Sequence, residues 1–109
     1  SMEVERVVCA HPDVLEAAAV GVRALEGASA EDEILVCIVA RHGRAPDLHG
    51  LLAFCDERMP YFAVPRYVRV VASLPKTPTE RVRKVELRDA GVTPDTHDRV
   101  VHGPPVPSR

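Results

Sequence analysis

Ile34-Leu35-Val36-Cys37-Ile38-Val39-Ala40 is an unbroken apolar run, rich in β-branched residues. It is far short of the ~20 residues that a transmembrane helix needs. A short run with no polar alternation fits a strand covered on both faces, and it predicts the central strand of the fold. Upstream, Val14 to Val22 is also apolar and predicts a second buried strand. Between them Arg23 to Glu33 contains Gly27, Ala28 and Ser29 and reads as a loop. The two strands therefore form an antiparallel hairpin with a long turn.

Helices flank this pair. Val4, Val7 and Val8 recur at helical spacing within Glu3 to Cys9, and Pro12 ends that helix. Leu48, Leu51, Leu52, Cys55 and Met59 define a second helix, with Asp47 placed to cap it and Pro60 to stop it. Tyr61 to Pro65 is a stiff connector, and Tyr67 to Val71 predicts a third strand. Leu74 to Thr79 carries Pro75 and Pro78 and must be extended. Thr79 is the expected cap of a last helix bearing Val82, Val85 and Leu87, with Gly91 as its stop. The expected class is α+β, a small, mainly antiparallel three-stranded sheet with flanking helices over residues 1–91. Residues 92–109 are polar, crowd Pro104, Pro105 and Pro107 at their end, and predict a loosely attached tail.

Composition bounds what such a chain does. Its 109 residues suffice for one domain, and 46% apolar with 28% charged residues excludes wholesale disorder. No signal peptide opens the sequence and no span is apolar enough for a membrane, so a reducing, cytoplasmic setting is expected. The cysteines, Cys9, Cys37 and Cys55, are too scattered for a disulfide framework or a metal knuckle, and all three fall on apolar faces. Buried thiols are expected. The five histidines lack zinc-site spacing, and no phosphate-cradling glycine motif is present.

Charge is distributed unevenly. Arg66, Arg69, Lys76, Arg81, Arg83, Lys84 and Arg88 face only Glu80 and Glu86 in their segment, a local +5 in a chain of net −2. Such an island suits an anionic partner, although a solvated basic helix face is the commoner meaning of a charge run. Thr77 and Thr79 lie within it, in a loop leading to the expected start of the last helix, where free amides and the helix dipole favour anions. Tyr61, Phe62 and Tyr67 sit near Arg66 and Arg69, so a stand-alone anion- or nucleic-acid-binding module is one reading. The low aromatic content of 4% and the negative net charge count against nucleic acid. A small self-associating domain is another reading.

The segment Leu74-Pro75-Lys76-Thr77-Pro78-Thr79-Glu80-Arg81-Val82-Arg83-Lys84 resembles the pattern L-P-K/R-T-x-T/S-G-K-V/I-x-R/K of acyl-adenylate-forming enzymes. Glu3-Val4-Glu5, His11-Pro12-Asp13-Val14, Ala17 to Val22, Leu51 to Cys55 and Met59 to Pro65 resemble that family's other C-terminal motifs, in the same order. The connector Tyr61 to Tyr67, the Thr79-Glu80 pair and the stretch Gly91 to Arg99 look most like the crotonobetaine/carnitine-CoA ligase-like branch. The resemblance implies the small mobile lid domain of an ATP-dependent acyl-CoA ligase of fatty acid metabolism. Its partners would be an N-terminal domain of the same chain, a small carboxylic acid, ATP, Mg and CoA, with no nucleic acid and no cofactor bound by the lid alone. The isolated domain would be inactive.

One position departs from the family. Its catalytic lysine follows a glycine, and here those positions hold Glu80 and Arg81. The resemblance makes Arg81 the catalytic residue, with Lys76, Thr77, Thr79, Glu80 and Lys84 as its supporting loop. An arginine keeps the charge but not the compact ammonium geometry. Three readings follow: Arg81 substitutes at a reduced rate, Lys84 or Lys76 reaches the site instead, or the parent mainly performs the thioester step. The first is favoured.

Overall fold

The computed structural model describes residues 2–23 and 32–100. Its elements are α1 (Met2–Cys9), β1 (Val14–Arg23), β2 (Asp32–Ala40), α2 (Leu48–Arg58), β3 (Tyr67–Val70), α3 (Lys84–Ala90) and β4 (His97–Asp98). The hairpin is present, but Arg23, Asp32 and Glu33, expected in its loop, belong to the paired strands; the rest of that loop, residues 24–31, lies outside the described residues. β1 and β2 are antiparallel, with Ala18 opposite Cys37 and Val20 opposite Leu35.

The sheet order is β1-β2-β3-β4. β2 and β3 run parallel and are joined through α2, the crossover that parallel neighbours require. β4 returns antiparallel to β3, pairing Tyr67 with Asp98 and Val68 with His97. The α+β class holds, but the sheet is four-stranded and mixed.

Both faces of β2 are covered, which explains its continuous apolar run. Val36 and Ile38 pack with Val4, Val7 and Val8 of α1 and with Leu51, Leu52 and Cys55 of α2. Leu35, Cys37 and Val39 pack on the other face with Tyr67, Leu74 and Leu87. Asp47 caps α2 as expected, its Oδ1 accepting the His49 amide at 3.2 Å.

A β-bulge at Leu15 changes the parity of β1. Val14 lies in the α1–α2 cluster with Ala19, whereas Ala18, Val20 and Val22 lie in the opposite cluster. Glu16, two residues before Ala18, is thereby turned toward the α3 face.

Two expectations are corrected here. The last helix begins at Lys84, and of its expected apolar stripe only Leu87 is buried, while Val85 is exposed. The tail is docked as far as residue 100: Thr96 and Asp98 are buried, and Asp98 forms a two-pronged pair with Arg66 at 3.1 Å on each prong. Residues 101–109 lie outside the described part.

Candidate functional site

The basic loop folds as a miniature hairpin, not as a helix start. The Glu80 amide donates to the Thr77 carbonyl at 2.9 Å, and the Thr77 amide donates to the Arg81 carbonyl at 2.8 Å. Glu80 has φ 65°. Together these define a three-residue turn closed by a left-handed residue. Pro78 occupies the first central position, where its fixed φ suits the turn. One step further out, Lys76 bridges to Val82, and the Arg83 amide donates to the Pro75 carbonyl at 2.8 Å.

The threonines serve this turn. Thr77 Oγ1 accepts the Arg81 amide at 3.1 Å and lies 3.1 Å from Thr79 Oγ1. Side-chain bonds of this kind compete with helix formation, which is why the chain does not coil until Lys84. Thr79 caps nothing. The N-cap position of α3 is Arg83, which makes no side-chain cap bond. The helix-terminal anion site expected at Thr79 is therefore absent among the described residues. The left-handed position at Glu80 also gives a physical reason for the family's glycine, since a residue without Cβ adopts that φ at no steric cost.

The hairpin is tied to the body of the domain on both sides, at Lys76 in its first arm and at Lys84, where α3 starts. Lys76 Nζ lies 2.6 Å from Glu16 Oε1, and this hydrogen bond holds its ammonium above the ordinary lysine value. Lys84 Nζ lies 2.6 Å from Glu5 Oε2. That same Glu5 oxygen accepts the Ala19 amide at 2.8 Å. Burial by itself would raise the Glu5 carboxyl, but the Lys84 hydrogen bond, the Ala19 amide and the Lys84 charge together hold it below its ordinary value. Arg81, by contrast, is exposed at the tip, and no carboxylate among the described residues lies within ion-pair distance of it.

The cationic island is much reduced by folding. Arg66 pairs with Asp98, Arg69 with Asp95, Lys76 with Glu16, Arg83 with Glu86 and Lys84 with Glu5. Among the described residues, Arg81 and Arg88 are its cations without such a partner. All six sequence-predicted site residues, Lys76, Thr77, Thr79, Glu80, Arg81 and Lys84, fall within this hairpin and the residue that opens α3. Of the three candidate cations, only Arg81 stands free of an ion pair. Glu5 and Glu16 were missed as partners, although a carboxylate interrupting an apolar helix face or strand was a visible signal.

Cys37 and Cys55 are buried as expected, and burial pushes the Cys55 thiol up to about 11. Cys9 is exposed, which corrects the expectation of three buried thiols. Among the described residues no group of three or more His, Cys, Asp or Glu could hold a metal ion. No helix there is long and apolar enough to cross a membrane.

A two-sided α+β sheet carrying a cationic hairpin before a short final helix defines a recognisable class of small domain. Residues 3–81 match the family model described as the AMP-binding enzyme C-terminal domain, and the chain belongs to that family. It is 35% identical over 83 residues to a probable CoA ligase of Humulus lupulus, covering 76% of this chain and 15% of that protein. It is 31% identical over 87 residues to a mitochondrial medium-chain acyl-CoA ligase of Danio rerio, covering 80% of this chain and 14% of that one. Among solved structures, an amide bond synthetase from Marinactinospora thermotolerans matches with TM-score 0.74 and 34% identity over 83% of this chain and 18% of that chain. A Brucella canis acyl-CoA synthetase matches with TM-score 0.72 and 29% identity over 82% and 16%. The chain thus spans about one-seventh of the length of these curated relatives.

Proposed function

We propose that this chain is the closing lid of an ATP-dependent ligase that activates a carboxylic acid as its adenylate and transfers the acyl group to CoA. The observation that carries the reading is the hairpin: an unpaired Arg81 at its tip, with both neighbouring lysines engaged by the body. Family membership and the CoA ligases among the relatives support the reaction class. The connector and tail motifs favour the crotonobetaine/carnitine-CoA ligase-like branch.

In this reading the lid docks on an N-terminal domain that holds ATP and the acid. Arg81 then lies where negative charge gathers as the carboxylate attacks the α-phosphate. A cation aimed at that charge stabilises the transition state more than the ground state. The guanidinium is broader than an ammonium, so the reacting groups are held at somewhat different spacing and a slower adenylation follows. In this reading Mg and CoA serve the parent enzyme, and the lid alone holds neither.

The test is ATP–pyrophosphate exchange by the full-length protein against a panel of carboxylic acids. Acid-dependent exchange is expected, strongly reduced by Arg81→Gln and raised by Arg81→Lys. Equal exchange in all three proteins would remove Arg81 from the reaction. Thioester formation by the 109-residue chain alone would overturn the lid reading.

A further inference from the structure

Two carboxylates from the opposite end of the sequence hold the hairpin, and each is aimed by a specific structural device. Glu16 faces the hairpin because the bulge at Leu15 turns it away from the α1–α2 side. Glu5 comes from α1, on the other side of the sheet, and reaches past the edge strand β1. On the way it accepts the edge amide of Ala19, which fixes the carboxylate at that point, and it meets Lys84 at the start of α3. The two lysines so held flank the turn, Lys76 on its first arm and Lys84 opening α3 just after its second. Lys84 is clamped three residues beyond Arg81, and Lys76 five before it. Both pairs are short, at 2.6 Å, and partly shielded from water.

From this geometry we infer that Glu5 and Glu16 are positioning residues: they clamp the first arm of the Arg81 hairpin and the start of α3 behind its second arm to the sheet edge, so that the tip is presented in one orientation. The inference rests on the ligase reading for its consequence in catalysis, but the clamp itself is a property of this chain. It also accounts for the engagement of Lys76 and Lys84. Their charge serves to hold the tip, and the reacting cation is Arg81. Neither glutamate touches the reacting atoms in this scheme.

The experiment has two arms. In the first, backbone order parameters are measured by NMR for the amides of Thr79, Glu80 and Arg81 in the 109-residue chain. Glu5→Gln and Glu16→Gln are expected to lower them, and the double variant to lower them further. The swap Glu16→Lys with Lys76→Glu is expected to restore the order lost in Glu16→Gln; the Glu5–Lys84 pair has no equivalent swap, because a lysine at position 5 cannot accept the Ala19 amide. In the second arm the full-length protein is assayed by ATP–pyrophosphate exchange. Each glutamine variant should lose about fivefold in kcat, with KM for ATP within about twofold, and the Glu16/Lys76 swap should recover the loss at that pair. Unchanged order parameters in both single variants would overturn the clamp. So would a kcat loss in Glu16→Gln that the Glu16/Lys76 swap fails to rescue while melting temperature falls in parallel. If the wild-type protein shows no acid-dependent exchange, the ligase reading fails, and the clamp is judged on the order parameters. If Arg81→Gln abolishes exchange while both glutamate variants retain it fully, the ligase reading stands and the clamp falls.

Discussion

Replacing Asp98 by asparagine removes one charge from a pair that water hardly reaches. Asp98 is 2% exposed and Arg66 7%. The guanidinium meets the carboxylate through two parallel bonds of 3.1 Å, from Nε to Oδ1 and from Nη2 to Oδ2. Asparagine keeps the shape and an oxygen for the Val100 amide, which now bonds Oδ1 at 3.0 Å. It loses the charge and one acceptor, and it leaves a buried guanidinium undercompensated. Breaking such a pair from one side costs about 3–5 kcal/mol. The lower end applies here, because Glu33 Oε2 stays 3.5 Å from Arg66 Nη1, and that carboxylate is half-exposed. The expected loss is therefore about 3 kcal/mol, or roughly 10–20 °C in Tm for a domain of this size. Urea unfolding of the chain measures it as a fall in midpoint with unchanged slope. The double replacement Arg66→Met with Asp98→Leu should recover most of the loss, since an apolar pair needs no charge compensation. A loss under about 1 kcal/mol would class the pair with surface ion pairs. A double variant as unstable as the single one would show that shape, not charge, holds β4 in place. Either result refutes the reasoning.

Other perturbations are simpler to work out. Glu80→Gly should stabilise the chain by roughly 0.5–1 kcal/mol, because the left-handed penalty of about 1–2 kcal/mol outweighs the greater unfolded-state freedom of glycine; chemical denaturation reads the sign directly. Asp47→Ala removes the α2 cap and should cost about 1 kcal/mol by the same assay. The Glu5 carboxyl is held below its ordinary value of 4.5 in the folded state, so its contribution to stability is present above that pH and is lost as pH falls through the lower folded value. The stability difference between wild type and Glu5→Gln should accordingly be largest near neutral pH and shrink on acidification. A difference that grows toward acid would contradict the Lys84 contact.

Much of this architecture was legible in the sequence because local pattern and tertiary demand agree. Ile34 to Ala40 is apolar at every position because β2 is covered on both faces. The α2 stripe from Leu48 to Met59, its cap and its stopping proline all point one way. The missed strand is the opposite case. His97 and Asp98 are polar, and only two residues long as a strand. What anchors them beside β3, besides the strand pairing itself, is an ion pair from Asp98 to Arg66 spanning 32 positions of sequence. No periodicity carries a contact of that kind. The last helix was misread for a related reason. Val82, Val85 and Leu87 mimic a helical stripe, but the Thr77 hydroxyl captures the Arg81 amide and Lys76 bridges to Val82 before a helix can start. The site residues themselves were legible through the motif, whereas their partners Glu5 and Glu16 needed the fold to bring them near.

The interior of this domain leaves little room for chemistry. Both faces of the sheet are closed mainly by aliphatic side chains, with Tyr67 on one face and Phe54 on the other, and the two buried cysteines sit among them as packing groups. The polar work is done at the sheet margins. At one margin Arg66 and Asp98 fasten the terminal strand to β3, and at the other Glu5 covers an edge amide and holds Lys84. The hairpin is attached at this second margin and stands beyond it. This arrangement separates two tasks that share one basic sequence segment. Most of its cations are used internally to hold elements together, and that use fixes where the remaining one can be. A lysine at position 84 or 76 could take over from Arg81 only by breaking its ion pair and turning away from the body. Arg81 needs no such rearrangement, so a lid that turns as a unit would carry this cation to its partner domain already in place.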